Sequence, residues 1–422
     1  MPLVLTAGRR AALATARRCA AVAGIPLVAL GALAAGRAAP PCAPDNGGLG
    51  LPDGFCASVV ASNVDDVRHL AVAPNGDLYA ATGGGLLRGG VAAFRDRDGD
   101  GTMDERTSFG PGGGNDVGVH DGYLYLALER SVVRWRLTPG KLEPAGDPET
   151  IISGLPAGGD HDAKTMAFPG GAVLLVKIGS ATNSCQQSNR AAKSPGREPC
   201  TELERRAGIW RFAADRPGQS FGDGRRWATG LRNAEALGVQ PGTGAVWAAI
   251  HGRDQLGQNW GFSDEANANN PAEELVQVSE GDDIGWPYCY YNDAKRKVLA
   301  PEYGGDGKTV GRCAKAKAPA IAFPGHWAPM ALQFYSGEQL GPAYAGGLFL
   351  TFHGSWNRAP LPQEGFRVVF APFADGKPVG TYQTFATRTG GRFRPVGLAV
   401  GKDGALFVSD DGGGTIWRIV KR

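Results

Sequence analysis

The sequence predicts an all-β fold, a six-bladed β-propeller of four-stranded antiparallel blades. Three observations predict it. Glycine makes up 65 of the 422 residues, about twice the usual ~7%, and it is spread without a collagen period, which marks many tight turns rather than long helices. A pair of alternating apolar strands around a Gly-containing turn recurs along the chain, which is hairpin chemistry. One hairpin cannot bury its own apolar face, so the copies must stack radially or pack as a sandwich. Six unevenly spaced copies fit a propeller with insertions better than a β-sandwich.

The N-terminal stretch 1–39 reads as a signal peptide. Arg9-Arg10 and Arg17-Arg18 precede an uncharged run from Cys19 to Gly36, and Ala35, Ala38 and Ala39 supply a small-residue exit. The run is only marginally long enough to span a bilayer, which needs ~20 apolar residues. The arginine pairs permit either a general or a twin-arginine export route. The remainder, 40–422, is expected to be a single propeller domain of an exported protein, periplasmic or extracellular, with no membrane span.

Removing the leader takes away five of the 44 basic residues and none of the 41 acidic ones, leaving 39 against 41, a net charge of −2. A near-neutral surface without a basic stripe argues against a nucleic-acid partner. Cys42, Cys56, Cys185, Cys200, Cys289 and Cys313 remain. In an exported chain such cysteines form disulfides, and local pairing gives Cys42–Cys56, Cys185–Cys200 and Cys289–Cys313. The spacings fit neither a c-type haem nor a zinc module.

The repeat begins at Leu70-Ala71-Val72-Ala73-Pro74-Asn75-Gly76-Asp77-Leu78-Tyr79-Ala80-Ala81 and recurs at Val117–Ala127, continuing into Val132–Arg136. The third copy is Met166-Ala167-Phe168, a Pro169-Gly170-Gly171 turn and Ala172–Val176, and the fourth runs Ala236–Ala249. The fifth, at Met330–Phe334 and Gly347–Thr351, is degenerate, and the sixth is Val396–Val400 with Ala405–Val408, closing on Thr415–Ile419. Insertions fall near 179–230 and 252–328. In repeat architectures such insertions gather on one face and often build the binding site.

Asp96-Arg97-Asp98-Gly99-Asp100-Gly101-Thr102-Met103-Asp104 places oxygen-bearing side chains around a sharp glycine turn, the geometry a hard cation needs. Thr107 stands where an EF-hand has glutamate and no helices flank the loop. A structural Ca²⁺ on Asp96, Asp98, Asp100, Thr102 and Asp104 is therefore expected to staple a blade edge.

A second constellation is scattered. His161 sits between Asp160 and Asp162 at the mouth of a strand, where a rigid sheet can aim it into a cavity. Leu231-Arg232-Asn233-Ala234-Glu235 precedes the fourth repeat, His251-Gly252-Arg253-Asp254 follows its central strand, and Gly391-Arg392-Phe393-Arg394 precedes the sixth. On a propeller these loops share one face, and a histidine, arginines and an amide converging there suit a planar polyanion.

These motifs, with Gly285-Trp286-Pro287 and Phe352-His353-Gly354-Ser355-Trp356-Asn357-Arg358, resemble the soluble sugar dehydrogenases that use pyrroloquinoline quinone (PQQ), of the sorbosone/aldose dehydrogenase type. The resemblance runs from about Leu51 to Arg418. It implies that His161 is the general base and that Arg232 assists catalysis. It places Asn233, Glu235, Arg392 and Arg394 beside the quinone, with His353 or Arg358 standing in for the family's quinone-binding lysine. It puts the backbone carbonyls of Gly252 and Arg253 on a Ca²⁺ held against the quinone. The chain departs from the family with Glu235 in place of an amide and Arg253 in place of a proline.

The activity so implied is removal of a proton from a sugar's anomeric hydroxyl, or from an aldehyde hydrate, with hydride transfer to the quinone. Asp160 or Asp162 is expected to orient His161. The implied partner is a small sugar, the electron acceptor is not identified by the residues, and the protein is expected to be a monomer or homodimer. Two rivals stand beside this reading: a metal-dependent propeller lactonase or other hydrolase, and a non-catalytic extracellular binding propeller.

Overall fold

The computed structural model describes residues 42–83 and 90–422. The signal peptide expected at 1–39 lies outside the described residues.

Six sheets, each with an antiparallel four-stranded blade, carry most of the described chain beside two small two-stranded sheets. Blade 1 comprises Val67–Val72, Leu78–Thr82, Val91–Arg95 and Glu105–Phe109; blade 2 comprises Gly114–His120, Tyr123–Leu128, Val132–Arg136 and Glu149–Ser153. Blade 3 is Lys164–Ala167, Val173–Ile178, Gly208–Ala213 and Arg225–Thr229; blade 4 is Ala236–Val239, Val246–Ile250, Glu273–Val278 and Ile321–Phe323. Blade 5 is Pro329–Phe334, Leu348–Phe352, Arg367–Ala371 and Gln383–Arg388. Blade 6 takes Pro395–Val400, Leu406–Asp410 and Thr415–Lys421 from the C-terminus and its outer strand, Phe55–Ala61, from the N-terminus. The first strand of each blade touches the first strand of the next, and blade 6 returns to blade 1, closing the ring.

Each repeat read from the sequence is centred on the first and second strands of one blade, which alternate most cleanly around a short turn, and the second and sixth repeats reach the third strand as well. The stretches near 179–230 and 252–328 hold blade as well as insertion: the third and fourth strands of blades 3 and 4 fall within them.

The ring is closed by pairing ends of the chain. Phe55 lies opposite Lys421 and Ala57 opposite Ile419, while Leu49–Gly50 adds to the outer edge of blade 5. Cys42–Cys56, Cys185–Cys200 and Cys289–Cys313 are all bonded, as local pairing predicts. The apolar faces are buried between neighbouring blades. Phe349, Phe370, Phe385 and Trp417 fill the seam of blades 5 and 6, and Trp247, Phe334 and Phe352 that of blades 4 and 5. Each such ring withdraws enough apolar area to contribute roughly 1.5–3 kcal/mol.

Candidate active site

Within each blade the start of the first strand lies beside the end of the second. Lys164 pairs with Ile178, Ala236 with Ala249, Pro329 with Phe352 and Pro395 with Asp410. Residues just before a first strand and just after a second strand therefore share one face. This register gathers His161, Arg232, Asn233, Glu235, Gly252, Arg253, His353, Arg392 and Arg394 on that face.

A chain of polar contacts joins all six blades there. His353 of blade 5 meets Asp411 of blade 6 at 2.8 Å, and Asp411 accepts from Arg68 of blade 1 at 2.9 Å. Arg68 donates to Asn115 of blade 2 at 3.1 Å. Asn115 reaches across to Glu235 of blade 4 at 3.2 Å, and Glu235 accepts from Lys177 of blade 3 at 2.9 Å. Beyond this floor the axis continues into a channel of about 350 Å³ lined by first-strand residues of every blade, with His69 and Asp116 among them. Burial drives the His69 imidazole down to about 3 and the Asp116 carboxyl up to about 7.

Lys177 is the residue the sequence reading passed over. It is fully buried and donates to Asn233 Oδ1 at 2.8 Å as well as to Glu235. Burial opposes ionisation of Glu235, yet Lys177 wins and holds that carboxyl well below its ordinary value. The available signal was a charge set in the apolar run Val173–Ile178. Because both Glu235 oxygens are engaged, by Lys177 and Asn115, this residue builds the floor rather than offering itself to a ligand.

His161 is oriented by Ser180, and this corrects the expectation that a neighbouring aspartate does it. Its Nδ1 lies 2.9 Å from Ser180 Oγ and 3.1 Å from Ser180 O. Asp160 is instead held by Arg190 at 2.8 Å, and Asp162 faces Arg206 at 3.5 Å. Ser180 Oγ spends its proton on Thr182 O, so it and the carbonyl both accept, and His161 must carry its proton on Nδ1. The lone pair is then on Nε2. Burial first, and then Arg232, push the imidazole well below its ordinary value, so it is neutral and ready to accept a proton. Gly179 permits this arrangement: a Cβ there would stand 2.6 Å from His161 Cβ and 3.0 Å from Asn233 Oδ1.

Arg232 is buried and fully engaged. It donates to Asn183 Oδ1 at 2.9 Å, Asp254 Oδ2 at 3.0 Å and Gly252 O at 2.8 Å. The last contact bears on the calcium expected at Gly252 and Arg253. A guanidinium already occupies the Gly252 carbonyl, and Arg253 carries a buried Nη2 with no hydrogen-bond partner. Arg253 turns its guanidinium to Glu302 at 2.7 Å, and with the Arg232 cation against the Gly252 carbonyl the pair is a poor fit for that ion.

The other end of the face is cationic. Arg68, Arg388 and Arg394 pair with Asp410 and Asp411, and the charge of Arg392 acts on Arg394. Burial, then Arg392, lowers Arg394 below its ordinary value, the signature of like charges packed together. His353 donates from Nε2 to Asp411 and accepts on Nδ1 from Arg394 at 2.5 Å. Arg392 stands exposed. Four guanidiniums against two carboxylates leave a surplus that an anion such as a polycarboxylate would neutralise. Arg358, in contrast, turns away. Its guanidinium donates to the carbonyls of Ala268 and Pro362, so the resemblance's second stand-in for the lysine is spent on anchoring its own loop.

The expected calcium loop is formed as a loop. Asp96, Asp98 and Asp104 bring carboxylate oxygens within 4.8 Å of one another, and Asp96 accepts from the N–H groups of Gly99 and Gly101. Thr102 contributes its backbone N–H to Asp100.

Fold and site together define a six-bladed propeller that carries a neutral histidine and a cluster of arginines on one face. Residues 49–422 match the TrAA12-like family, and the chain belongs to it; the resemblance to PQQ-dependent sugar dehydrogenases is upheld. A sugar dehydrogenase of Hypocrea jecorina described as PQQ-dependent is 23% identical over 269 residues, covering 58% of this chain and 58% of that relative. A PQQ-dependent pyranose dehydrogenase of Coprinopsis cinerea is 28% identical over 196 residues, covering 37% of this chain and 26% of that relative. The chain thus spans about half of these relatives or less. Among solved structures, the iodide form of the Trichoderma reesei family AA12 enzyme superposes with a TM-score of 0.75 at 20% identity, covering 89% of this chain and 98% of that one. The holo PQQ domain of the C. cinerea pyranose dehydrogenase gives 0.72 at 20%, covering 92% and 99%. At such identity these superpositions speak for the fold alone.

Proposed function

We propose that this protein is an exported PQQ-dependent dehydrogenase that oxidises a small sugar at its anomeric hydroxyl, or at a hydrated aldehyde, with His161 as general base. The observation that carries the reading is the Ser180-fixed Nδ1–H tautomer of a neutral, half-buried His161 on the same face as the surplus arginines. Arg392, Arg394 and Arg68 would hold the quinone's carboxylates, with Asn233 beside its ring. Bound there, PQQ would supply the two-electron acceptor for hydride.

The protein's own part is positional and electrostatic. His161 Nε2 takes the hydroxyl proton as the carbon gives up its hydride. Arg232, fixed by Asp254 and Asn183, keeps the imidazole neutral and adds a fixed positive field where negative charge collects. No step is routed through a metal. A Ca²⁺ on Asp96, Asp98 and Asp104 would be structural, clasping the third and fourth strands of blade 1. The hydrolase rival is weakened because Glu235, Asp254 and Asp411 on this face are each tied to a cation.

The test is His161→Ala with added PQQ, reading cofactor affinity by fluorescence quenching and turnover by reduction of an artificial acceptor. Quinone affinity should stay within about threefold while kcat falls by roughly 10²–10⁴. In the wild type, a lowered imidazole value keeps the base neutral to pH below its free value of about 6.5, so kcat/KM should hold level down to at least that pH. Normal turnover in the alanine variant sinks the assignment.

A further inference from the structure

We propose that Trp356 is a stacking platform that grips the apolar face of the sugar ring at the mouth of the site. This rests on the reading of the site as a sugar dehydrogenase. Among the large apolar side chains Trp356 stands out at 60% exposed, while its neighbours Ser355 and Asn357 are 5% and 3% exposed. A loose loop would expose all of them.

Here the flanks are pinned. Ser355 bonds Gln363 at 2.7 Å, the Asn357 carbonyl accepts from Asn267 at 2.8 Å, and Arg358 anchors to buried carbonyls. The backbone is fixed on both sides, and a single indole is presented to solvent. Covering the indole would withdraw a large apolar surface from water, and a rigidly held aromatic of this kind is the anchor that binding surfaces use.

The position tells which ligand. Trp356 follows His353 on the loop after the second strand of blade 5, on the site's face. The guanidinium carbon of Arg190 lies 5.9 Å from the ring centroid. Arg190 in turn holds Asp160, next to His161, at 2.8 Å and Asp254, the partner of Arg232, at 3.2 Å. The indole thus borders a rim of charged and amide groups, Arg190, Asp160 and Asn189, linked through Asp254 to Arg232 and adjoining His161 in sequence.

An aromatic face beside a ring of hydrogen-bonding groups complements a pyranose, which has C–H bonds on its face and hydroxyls on its edge. Such a wall fixes a sugar by its face and leaves the anomeric carbon free to reach His161. A flat anion would be drawn instead to the arginines of blade 6.

Trp356→Ala should raise KM for aldopyranoses by at least tenfold, about 1.4 kcal/mol, with kcat within threefold and quinone affinity unchanged. Trp356→Phe should recover most of that loss, which a merely structural role would not produce for an exposed side chain. Independently of turnover, saturation-transfer NMR should show sugar C–H protons contacting the wild type and lose that contact in Trp356→Ala. A KM unchanged within twofold, or NMR contacts that persist without the indole, overturns the proposal while leaving the dehydrogenase reading intact. Should the wild type oxidise no pyranose at all, the dehydrogenase reading fails, and the NMR comparison decides the fate of Trp356 alone.

Discussion

Replacing Lys177 by methionine tests whether the floor across the six blades is a single electrostatic unit. The lysine is 0% exposed on its side chain and Glu235 5%, so removing the ammonium leaves a carboxylate without its main partner. Breaking a buried pair from one side costs about 3–5 kcal/mol. A folded body of about 380 residues has an unfolding entropy near 0.8 kcal/mol per kelvin, taking ~2.1 cal/mol/K per residue, so the loss corresponds to a Tm drop of roughly 4–6 °C.

The sign with pH is fixed by the same pair. In the wild type Glu235 is held below its unfolded value of about 4.3, so its contribution is present above that pH and is lost as pH falls through the folded value. In the variant burial dominates and lifts the folded value above 4.3. That carboxyl then costs stability progressively as pH rises from about 4.3 to the lifted value, in full above it and little below 4.3. Differential scanning calorimetry of Lys177→Met against wild type should therefore show a deficit that is full at pH 8 and shrinks towards pH 4. Lys177→Met with Glu235→Gln should recover part of the loss at pH 8, since no buried charge remains. A deficit independent of pH, or a double variant no better than the single one, would refute the pairing argument.

Two further changes probe the site and the blade edge. Gly179→Ala places a Cβ 2.6 Å from His161 Cβ and 2.7 Å from His161 O, so steady-state kinetics should show kcat reduced at least tenfold by displacement of the base. The overpacking itself should cost only about 1–3 kcal/mol in stability; undiminished kcat would mean that His161 need not be held in place. Adding Ca²⁺ to chelator-treated protein should raise Tm in proportion to the logarithm of its concentration. Asp96→Asn with Asp98→Asn should abolish that rise without changing kcat, and an equal rise in the variant would remove the metal from this loop.

The inner half of each blade was legible in the sequence and the outer half largely was not. Leu70–Ala81 and Ala236–Ala249 show two alternating runs around one turn because first and second strands are buried among neighbouring blades, where period-2 patterning is enforced. Arg225–Thr229 is an edge strand, half exposed, so its side chains are free to be polar, and insertions separate it from its partners. Phe55–Ala61 could not be assigned locally at all, since its partner Thr415–Lys421 lies at the other end of the chain.

The site divides on the same physical line. His161, Arg232 and Arg394 were readable because each sits in a short polar motif beside a repeat. Ser180 was not, although antiparallel register supplied the clue: pairing Lys164 with Ile178 carries residue 161 back alongside residues 180 and 181, whereas Asp160 and Asp162, adjacent in sequence, point their carboxylates at Arg190 and Arg206. Lys177 and Glu235 are intelligible only as a pair, 58 positions apart, and neither declares its role alone. What a sequence hides here is the reciprocal need of two buried charges, and that need ties blade to blade. Every blade supplies one member of the polar floor, so no blade can lose its member without leaving a neighbour's charge or amide unsatisfied. The face that carries His161 is therefore held by the closure of the ring itself, and variants that loosen the Phe55–Ala61 seam should lower the proposed turnover before they unfold the blades.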